Sequence, residues 1–548
     1  MHKKYMISAL PLLMATGHSI QAENKTSADR PNIILILADD MGFSDFGFMG
    51  AGIETPNLDK LAGNGLLFTN FYNAGRSCPT RASLLTGQYA HQTGLGWMTS
   101  ANLGHPGYTG DMNNQVVTIA QVLKIADYSC YMTGKWHVTL DRFMGPDGPK
   151  HNWPIQRGFD RFFGHLTGGG SFFTPKTLTN DNEQIDAPDG FYLTTAVTDS
   201  TVSIINKHYK EKQNNPFFFY VAYYAPHRPL HALQEDIAKY RGKFMDGWDV
   251  QRERRYHKMR ELGIIDEKFA LSERDPQIPA WKDLSEADKM MWDARMAVYA
   301  AQIDRMDKGI GKIIETLQAH DALDNTIILF LSDNGGNAEA QGGKLTMEEL
   351  PLLGNEEPAH SYRKNWGNVS NTPFREYKRY VHEGGIATPL IVHWPAKVKE
   401  GGMLTSQPGH VIDFMPTFVD VSGAKYPKIY NNQAIHGMPG KSLLPVITKN
   451  KKLMRDALYF EHEANRAIID GRWKLVSMST KNPPYTAEWE LYNLRIDRTE
   501  TNNLAGKHPG KVEKMATKWD VWAKKNKVYP LDNSGGPGKN AKDQGSPL

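Results

Sequence analysis

Two pairs of hard oxygen donors lie far apart in the chain, Asp39-Asp40 and Asp333-Asn334. Carboxylate and amide oxygens with no soft ligand among them suit Ca²⁺ or Mg²⁺ and not zinc. Three carboxylates around one divalent ion leave about one negative charge, which neighbouring cations must balance. Arg81, Lys135 and Lys378 can supply those cations. Such a set fits a tetrahedral oxyanion ester. The metal and the cations hold the non-bridging oxygens and stabilise charge as it shifts in the transition state. His137 and His227 can carry protons near neutral pH. The chemistry is metal-assisted hydrolysis of a sulfate or phosphate ester. It needs a nucleophile, and Ser77 is the hydroxyl placed to be one or to become one.

Ser77 sits in the stretch Arg76 to Gly87, which reads as the start of a helix. Pro79 is tolerated in a first turn, Arg81, Ala82, Leu84 and Leu85 favour a helix, and Gly87 can end it. This places Ser77 at or just before the N-cap, where free backbone N–H groups and the positive dipole end meet an anion. Arg81 follows one turn on, on the same face. A capping serine with a surface arginine would give the same local pattern, so the choice depends on what surrounds it.

Four apolar runs end in the residues named above. Residues 31–38 are continuously apolar, as in a strand buried on both faces, and stop at Asp39-Asp40. Tyr128 to Thr133 leads to Lys135 and His137, Pro216 to Tyr224 leads to His227, and Thr326 to Leu331 leads to Asp333-Asn334. Pro389 to His393 is a further strand. Helical spacing marks Val116 to Ile125, Ala196 to Tyr209 and Met296 to His320, and Thr55-Pro56 opens a short helix. Alternating strands and helices predict an α/β fold, a mostly parallel sheet sandwiched by helices. In open sheets of this kind, sites form outside the carboxyl ends of the strands. All seven strand-end residues therefore fall along one edge.

Residues 240–300 are densely charged and predict solvated helices without chemistry. Beyond residue 430 the segments shorten. Ala457 to Glu461, Arg466 to Ile469, Lys474 to Ser477 and Glu490 to Leu494 predict a small antiparallel sheet, followed by a helix over Gly510 to Lys524. The expected organisation is a signal peptide (1–22), a catalytic domain (23–430) and a smaller C-terminal subdomain with a loose tail (431–548). His2, Lys3 and Lys4, the apolar run Tyr5 to Gly17 and the small residue Ala22 form the export signal, which points to a bacterial periplasm. A net charge of +4 over 548 residues says little about nucleic acid, but with no dense basic tract and no RNP-, zinc-finger- or Walker-type spacing no nucleic-acid partner is expected. No later segment reads as transmembrane. Two cysteines, Cys78 and Cys130, make neither a disulfide framework nor a four-cysteine zinc site.

The motifs together are specific. Ser77-Cys78-Pro79-Thr80-Arg81 followed by Leu85-Thr86-Gly87 resembles the type I sulfatase signature: Cys or Ser, then x-Pro-x-Arg, then Thr-Gly. The register puts Ser77, not Cys78, at the signature position, as in the serine-type bacterial variant. The resemblance extends through Asp39-Asp40-Met41-Gly42, Gly134-Lys135-Trp136-His137, Ala225-Pro226-His227, Ser332-Asp333-Asn334-Gly335-Gly336, Arg375 to Lys378, Glu383-Gly384-Gly385 and Trp489 to Leu494. It implies an alkaline-phosphatase-like fold and hydrolysis of sulfate monoesters, as in bacterial arylsulfatases.

The resemblance also implies that a radical maturase converts Ser77 to formylglycine (3-oxoalanine) before export. Its hydrate is the nucleophile, and one Ca²⁺ (Mg²⁺ second) is held by Asp39, Asp40, Asp333, Asn334 and residue 77. By the same resemblance Asp333 accepts the nucleophile's proton, and Arg81 and Lys135 hold residue 77 and the sulfate. His227, helped by Lys378, serves the leaving oxygen, and His137 takes the proton that releases sulfate. The expected substrate is a sulfated carbohydrate, a terminal galactose or hexosamine sulfate, with small aryl sulfates as the alternative. Rival readings are a phosphate or phosphonate monoester hydrolase and a catalytically dead glycan-binding protein. His91, His231, His382 and His462 read as structural, whereas Trp97, His105, Tyr108, Trp248 and Trp366 are candidates to stack on a sugar or aryl ring.

Overall fold

A computed structural model describes residues 30–211, 215–479 and 484–529. The export segment 1–22 and the tail 530–548 expected above lie outside the described residues. The main sheet contains β1 (Asn32–Ala38), β2 (Leu66–Tyr72), β3 (Ser129–Lys135), β4 (Arg161–His165), β5 (Phe217–Ala222), β6 (Thr326–Ser332) and β7 (Ala387–His393). The helices that matter to the site and core are α1 (Pro56–Gly63), α2 (Ser77–Thr86), α3 (Ile119–Ile125), α4 (Leu193–Glu211), α5 (Gly247–Glu261), α6 (Glu286–Ala319), α7 (Phe414–Ser422) and α8 (Pro509–Lys525).

β1 lies mid-sheet, parallel to β5 on one side and to β6 on the other. The order runs β2-β7-β6-β1-β5-β3-β4, with short strands at both edges. The five strands from β6 to β4 are parallel, and of these seven strands only β7 opposes its two neighbours. The continuous apolar run of β1 follows from burial on both faces. Ile34, Ile36 and Ala38 enter one core with Val197 of α4, Ala297 and Ile303 of α6 and Leu58 of α1. Ile33, Leu35 and Leu37 enter the other with Leu84 of α2, Val122 of α3 and Phe414 of α7. Register then aligns the strand ends. Ala38 stands opposite Ser332, Leu37 opposite Ala222, and Ala222 opposite Gly134. The polar residues that follow each strand are thereby brought to one edge.

The C-terminal strands β8 (Leu458–His462), β9 (Asn465–Asp470), β10 (Trp473–Ser477) and β11 (Glu490–Asn493) form the expected antiparallel sheet, paired in chain order. One face joins the first core through Phe460 and Ile469. The other packs Ile468, Leu475 and Leu491 on Trp519 and Trp522 of α8. Buried ion pairs also tie this sheet to the main one, since Glu383 meets Lys474 at 2.9 Å and Arg498 at 2.7 Å.

The structure departs from the sequence reading in two regions. The charged stretch 240–300 is not simply solvated, because α5 buries Trp248, Gln251, Arg252, Arg255 and Met259. Arg255 meets Asp45 at 2.6 Å with both side chains fully buried. Asp45 in turn accepts from Gly42 N and the Tyr299 hydroxyl, fixing the loop after β1. A buried charge persists only when paired, and charge density alone does not reveal the partner. Trp248 and Trp366 pack edge to face in the core, 5.8 Å apart, and are not platforms for a ring. Trp97 and Tyr108 are likewise buried, and the Tyr108 hydroxyl donates to Val528 O. Cys78 and Cys130 are both buried and are not joined in a disulfide.

Candidate active site

The site is built on α2. Its N-cap is Arg76, extended at φ −152° and ψ 153°, so Ser77 is the first helical residue and not the cap. Its hydroxyl is thus available for other partners. Ser77 Oγ donates to Asp333 Oδ2 at 2.6 Å and accepts from Arg81 Nε at 3.0 Å. His137 Nδ1 lies 3.4 Å from the same oxygen. Arg81 does lie one turn on and on the same face, but it is fully buried, which removes the surface reading. Its guanidinium reaches Asp333 at 2.9 Å, Asp39 at 3.4 Å and Lys135 O at 3.1 Å. Gly87 ends the helix at φ +67°, and a Cβ there would lie 2.4 Å from Met415 Cβ.

The β1 end contributes Asp39 and Asp40. Lys135, the last residue of β3, donates to Asp39 Oδ2 at 2.5 Å and to Gly168 O at 2.5 Å. Asp40 and His137 adopt left-handed backbone, φ +66° and +54°. Such conformations cost on the order of 1–3 kcal/mol each and cluster at functional sites. Asp40 receives Lys378 Nζ at 2.7 and 3.0 Å, Asn334 Nδ2 at 2.7 Å and Asn337 Nδ2 at 3.0 Å. The backbone holds Lys378 in place, since its N–H donates to Gly336 O at 3.1 Å. His227 Nδ1 lies 2.5 Å from Arg228 O, so this nitrogen carries the proton. Its bare Nε2 faces Lys378 Nζ at 3.2 Å and Asp40 Oδ2 at 3.6 Å. All the expected site residues therefore meet in one cluster. The sequence reading missed Asn337, which directly follows Gly336, and Tyr224, whose hydroxyl lies 3.0 Å from His227 Nδ1 and whose ring stacks on it.

Burial shapes the protonation states. Burial and the Asp333 charge push the Asp39 carboxyl up to about 7 against the pull of Lys135 and Arg81. Burial, then Lys135 and Arg81, hold His137 well below the usual imidazole range. Burial, then Lys378 and Lys135, do the same to His227. Both rings are neutral near pH 7 and can accept protons. Burial lowers the Lys135 ammonium despite the neighbouring Asp39.

The donors fit a hard cation. Asp39, Asp40 and His227 offer ligand atoms within 4.8 Å of one another. Asp39 Oδ1 and Asn334 Oδ1 are buried without a hydrogen-bond partner. A buried acceptor left alone costs about 1–3 kcal/mol, and a divalent ion would satisfy both. Asp333 is outside that tightest set, with Oδ2 already taken by Ser77 and Arg81. Away from the cluster, His91 meets Glu461 at 2.6 Å and His231 meets Glu356 O at 3.0 Å, both structural contacts as expected.

Comparison with known proteins places the chain in a family. The Sulfatase family model matches residues 31–424, and the model for the C-terminal region of N-sulphoglucosamine sulphohydrolase matches residues 375–522. The chain is 33% identical over 469 residues to an arylsulfatase of Klebsiella aerogenes, covering 81% of this chain and 96% of the relative. It is 30% identical over 545 residues to an uncharacterized sulfatase of Schizosaccharomyces pombe, covering 92% and 94%. Among solved structures, Ps i-CgsB superposes with a TM-score of 0.67 at 26% identity, covering 94% of this chain and 98% of that one. The architecture is the alkaline-phosphatase-like sandwich with a C-terminal antiparallel sheet. The chain belongs to the sulfatase family and is a sulfuric ester hydrolase.

Proposed function

We propose that the protein hydrolyses sulfate monoesters of carbohydrates to alcohol and inorganic sulfate, with residue 77 matured from serine to formylglycine by a radical maturase and the enzyme exported to a bacterial periplasm. The observation that carries this reading is the Ser77 oxygen itself. It is buried and faces an acid, a guanidinium and an imidazole at 2.6, 3.0 and 3.4 Å, more partners than a capping hydroxyl needs. Asp39, Asp40 and Asn334 would hold one Ca²⁺, with Asp333 and residue 77 beside it, and the ion supplies Lewis-acid stabilisation of sulfate oxygens. Hydrated formylglycine supplies a nucleophilic hydroxyl and a second hydroxyl through which sulfate is released.

The remaining work falls to fixed side chains. Asp333 Oδ2 is the proton acceptor for the residue-77 hydroxyl. Arg81 and Lys135 set two positive charges beside it, anchored on Asp333 and Asp39. His137, held neutral near pH 7 with Nδ1 3.4 Å from the residue-77 oxygen, is the base for the release step. At the leaving oxygen, the Arg228 carbonyl fixes the His227 tautomer and leaves Nε2 to accept. Lys378 Nζ, 3.2 Å away, is then the source of the proton.

A carbohydrate substrate is supported by relatives. A human relative, 27% identical over 502 residues, is named N-acetylgalactosamine-6-sulfatase. Ps i-CgsB has been solved in complex with k-i-k-neocarrahexaose. Mass spectrometry of the peptide carrying residue 77, from the native host, tests the reading. The peptide should be two hydrogens lighter than the serine form, and intact serine would leave only a glycan-binding role. Paired rates on an aryl sulfate and an aryl phosphate complete the test. A clear phosphate preference would sink the proposal.

A further inference from the structure

A charged cluster outside the reacting groups borders the site. Arg76 directly precedes Ser77, Arg228 directly follows His227, and Glu339 follows the Asp333-Asn334 pair in the next loop. Their side chains are 15%, 35% and 33% exposed, while Ser77, Arg81 and Asp333 are buried. The three therefore stand between the buried chemistry and solvent.

Glu339 is firmly placed. Its N–H donates to Asn337 Oδ1 at 2.7 Å, and its carbonyl accepts from Ser361 Oγ at 2.9 Å. Asn337 in turn donates to Asp40 at 3.0 Å, so one residue links this loop to the catalytic carboxylates. The Glu339 carboxylate accepts from Arg76 Nη1 at 2.8 Å and from Arg228 Nη2 and Nε at 3.0 and 3.3 Å. The charge of Arg76, then those of Lys378 and Arg228, keeps its carboxyl well below the usual range despite burial. Arg228 is itself fixed through Nη1 on Gln341 Oε1 at 3.1 Å.

Hydrogen-bonding capacity remains in this cluster. A carboxylate offers about four acceptor positions, and the two arginines use three, leaving one on Oε1. Arg76 presents five N–H groups, of which Nη1 alone meets a side-chain acceptor, on Glu339. Its Nε is buried with no partner, so the donors left for a ligand are those of Nη1 and Nη2, on a side chain 15% exposed. A free donor beside a free acceptor matches a hydroxyl, which is both. It does not match a bare aryl ring, and two candidate ring platforms, Trp248 and Trp366, lie in the core.

We propose that Arg76 and Glu339 together bind a ring hydroxyl of the sugar beside the sulfated carbon, with Arg228 as the residue that positions Glu339. The inference rests on the sulfate-ester reading above. It makes the rim selective for hydroxylated sugars over aryl groups. Sites built to hydrogen-bond a hydroxyl can reject analogues lacking it by up to about 10⁴–10⁵-fold.

The test uses the full mature chain, with residue-77 conversion checked by mass spectrometry. Values of kcat/KM are measured on para-nitrophenyl sulfate and on the 4- and 6-sulfates of galactose, N-acetylgalactosamine and N-acetylglucosamine. Glu339→Gln and Arg76→Gln should each lower kcat/KM on the best sugar by roughly 30-fold or more, mainly through KM. The loss on para-nitrophenyl sulfate should stay under about threefold. Equal losses on both substrate types assign the cluster a structural role and overturn the inference, as does the absence of any loss on sugars. A wild type that cleaves the aryl sulfate but none of the sugars also overturns it, while leaving the sulfatase chemistry standing. Failure on every sulfate with converted residue 77 refutes the proposed function instead.

Discussion

Replacing Lys378 with alanine separates two roles that share one ammonium group. Lys378 Nζ lies 2.7 and 3.0 Å from the Asp40 oxygens and 3.2 Å from His227 Nε2. Toward Asp40 it is a charge-assisted donor, worth about 1.5–3 kcal/mol. Asp40 would keep Asn334 and Asn337 at 2.7 and 3.0 Å, so this loss appears as weaker metal retention and a lower Tm. Toward His227, Lys378 is the proton source for the leaving oxygen, and a positioned general acid contributes roughly 10²–10⁴-fold. That share depends on the leaving group. At saturating Ca²⁺, aryl sulfates of acidic phenols (pKa about 4–7) need little protonation and should lose less than about tenfold in kcat/KM. Phenols of pKa near 10, or sugars, should lose about 10²–10⁴-fold, or roughly 2.7–5.5 kcal/mol of transition-state stabilisation. The assay is kcat/KM across a series of substituted aryl sulfates at one pH. Lys378→Ala should steepen the dependence on leaving-group pKa, and His227→Ala should steepen it in the same way, with a non-additive double variant. Parallel lines for variant and wild type would refute the proton route and leave Lys378 only its contact with Asp40.

Other outcomes follow from single contacts. Ser77→Ala should abolish turnover at a stability cost of about 1 kcal/mol, because Arg81 still satisfies Asp333; retained turnover removes residue 77 from the chemistry. Exhaustive chelation, checked by elemental analysis, should abolish activity and Ca²⁺ should restore it better than Mg²⁺; undiminished activity in metal-free protein contradicts the role given to Asp39 and Asn334. Arg255→Met breaks a fully buried pair with Asp45 and should cost about 3–5 kcal/mol in denaturant unfolding; a cost under about 1 kcal/mol would show that the pair does not fix the loop after β1. Burial raises the Glu490 carboxyl, but His382, Tyr492 and Arg375 outweigh it and bring it from 4.5 to about 2. A depressed carboxyl stabilises fully above pH 4.5 and loses that contribution as pH falls toward 2. The deficit of Glu490→Gln should shrink across that window in pH-dependent melts, and a pH-independent deficit would contradict the pairing.

Much of the site was legible because a strand buried on both faces is a continuous apolar run that ends abruptly. Asp39, Lys135, His227 and Asp333 all stand within a few residues of such an ending, and parallel pairing puts those endings on one edge. The same reasoning overlooked β2. Its Leu66–Tyr72 segment carries Thr69 and Asn70 mid-strand and a register shift between Phe68 and Phe71, so neither alternation nor a clean apolar run marks it. Ser77 was misplaced by one position because helical spacing does not resolve a cap from a first residue; only the extended backbone of Arg76 does. The charged helix α5 was read as solvated because the partner of Arg255 lies 210 residues away.

The sequence by itself determined the kinds of group available, a hard-donor metal set, three cations, two imidazoles and a serine in a specific register, and the edge on which they gather. Only the tertiary structure decided which charge meets which: Lys135 with Asp39, Lys378 with Asp40, Arg81 with Asp333. It also exposed the orphaned oxygens of Asp39 and Asn334, and the rim where Arg76 and Arg228 share Glu339. The physical reason is range. Strand burial is written in a few neighbouring residues, whereas an ion pair depends on register and loop closure between segments that meet only after the chain has folded.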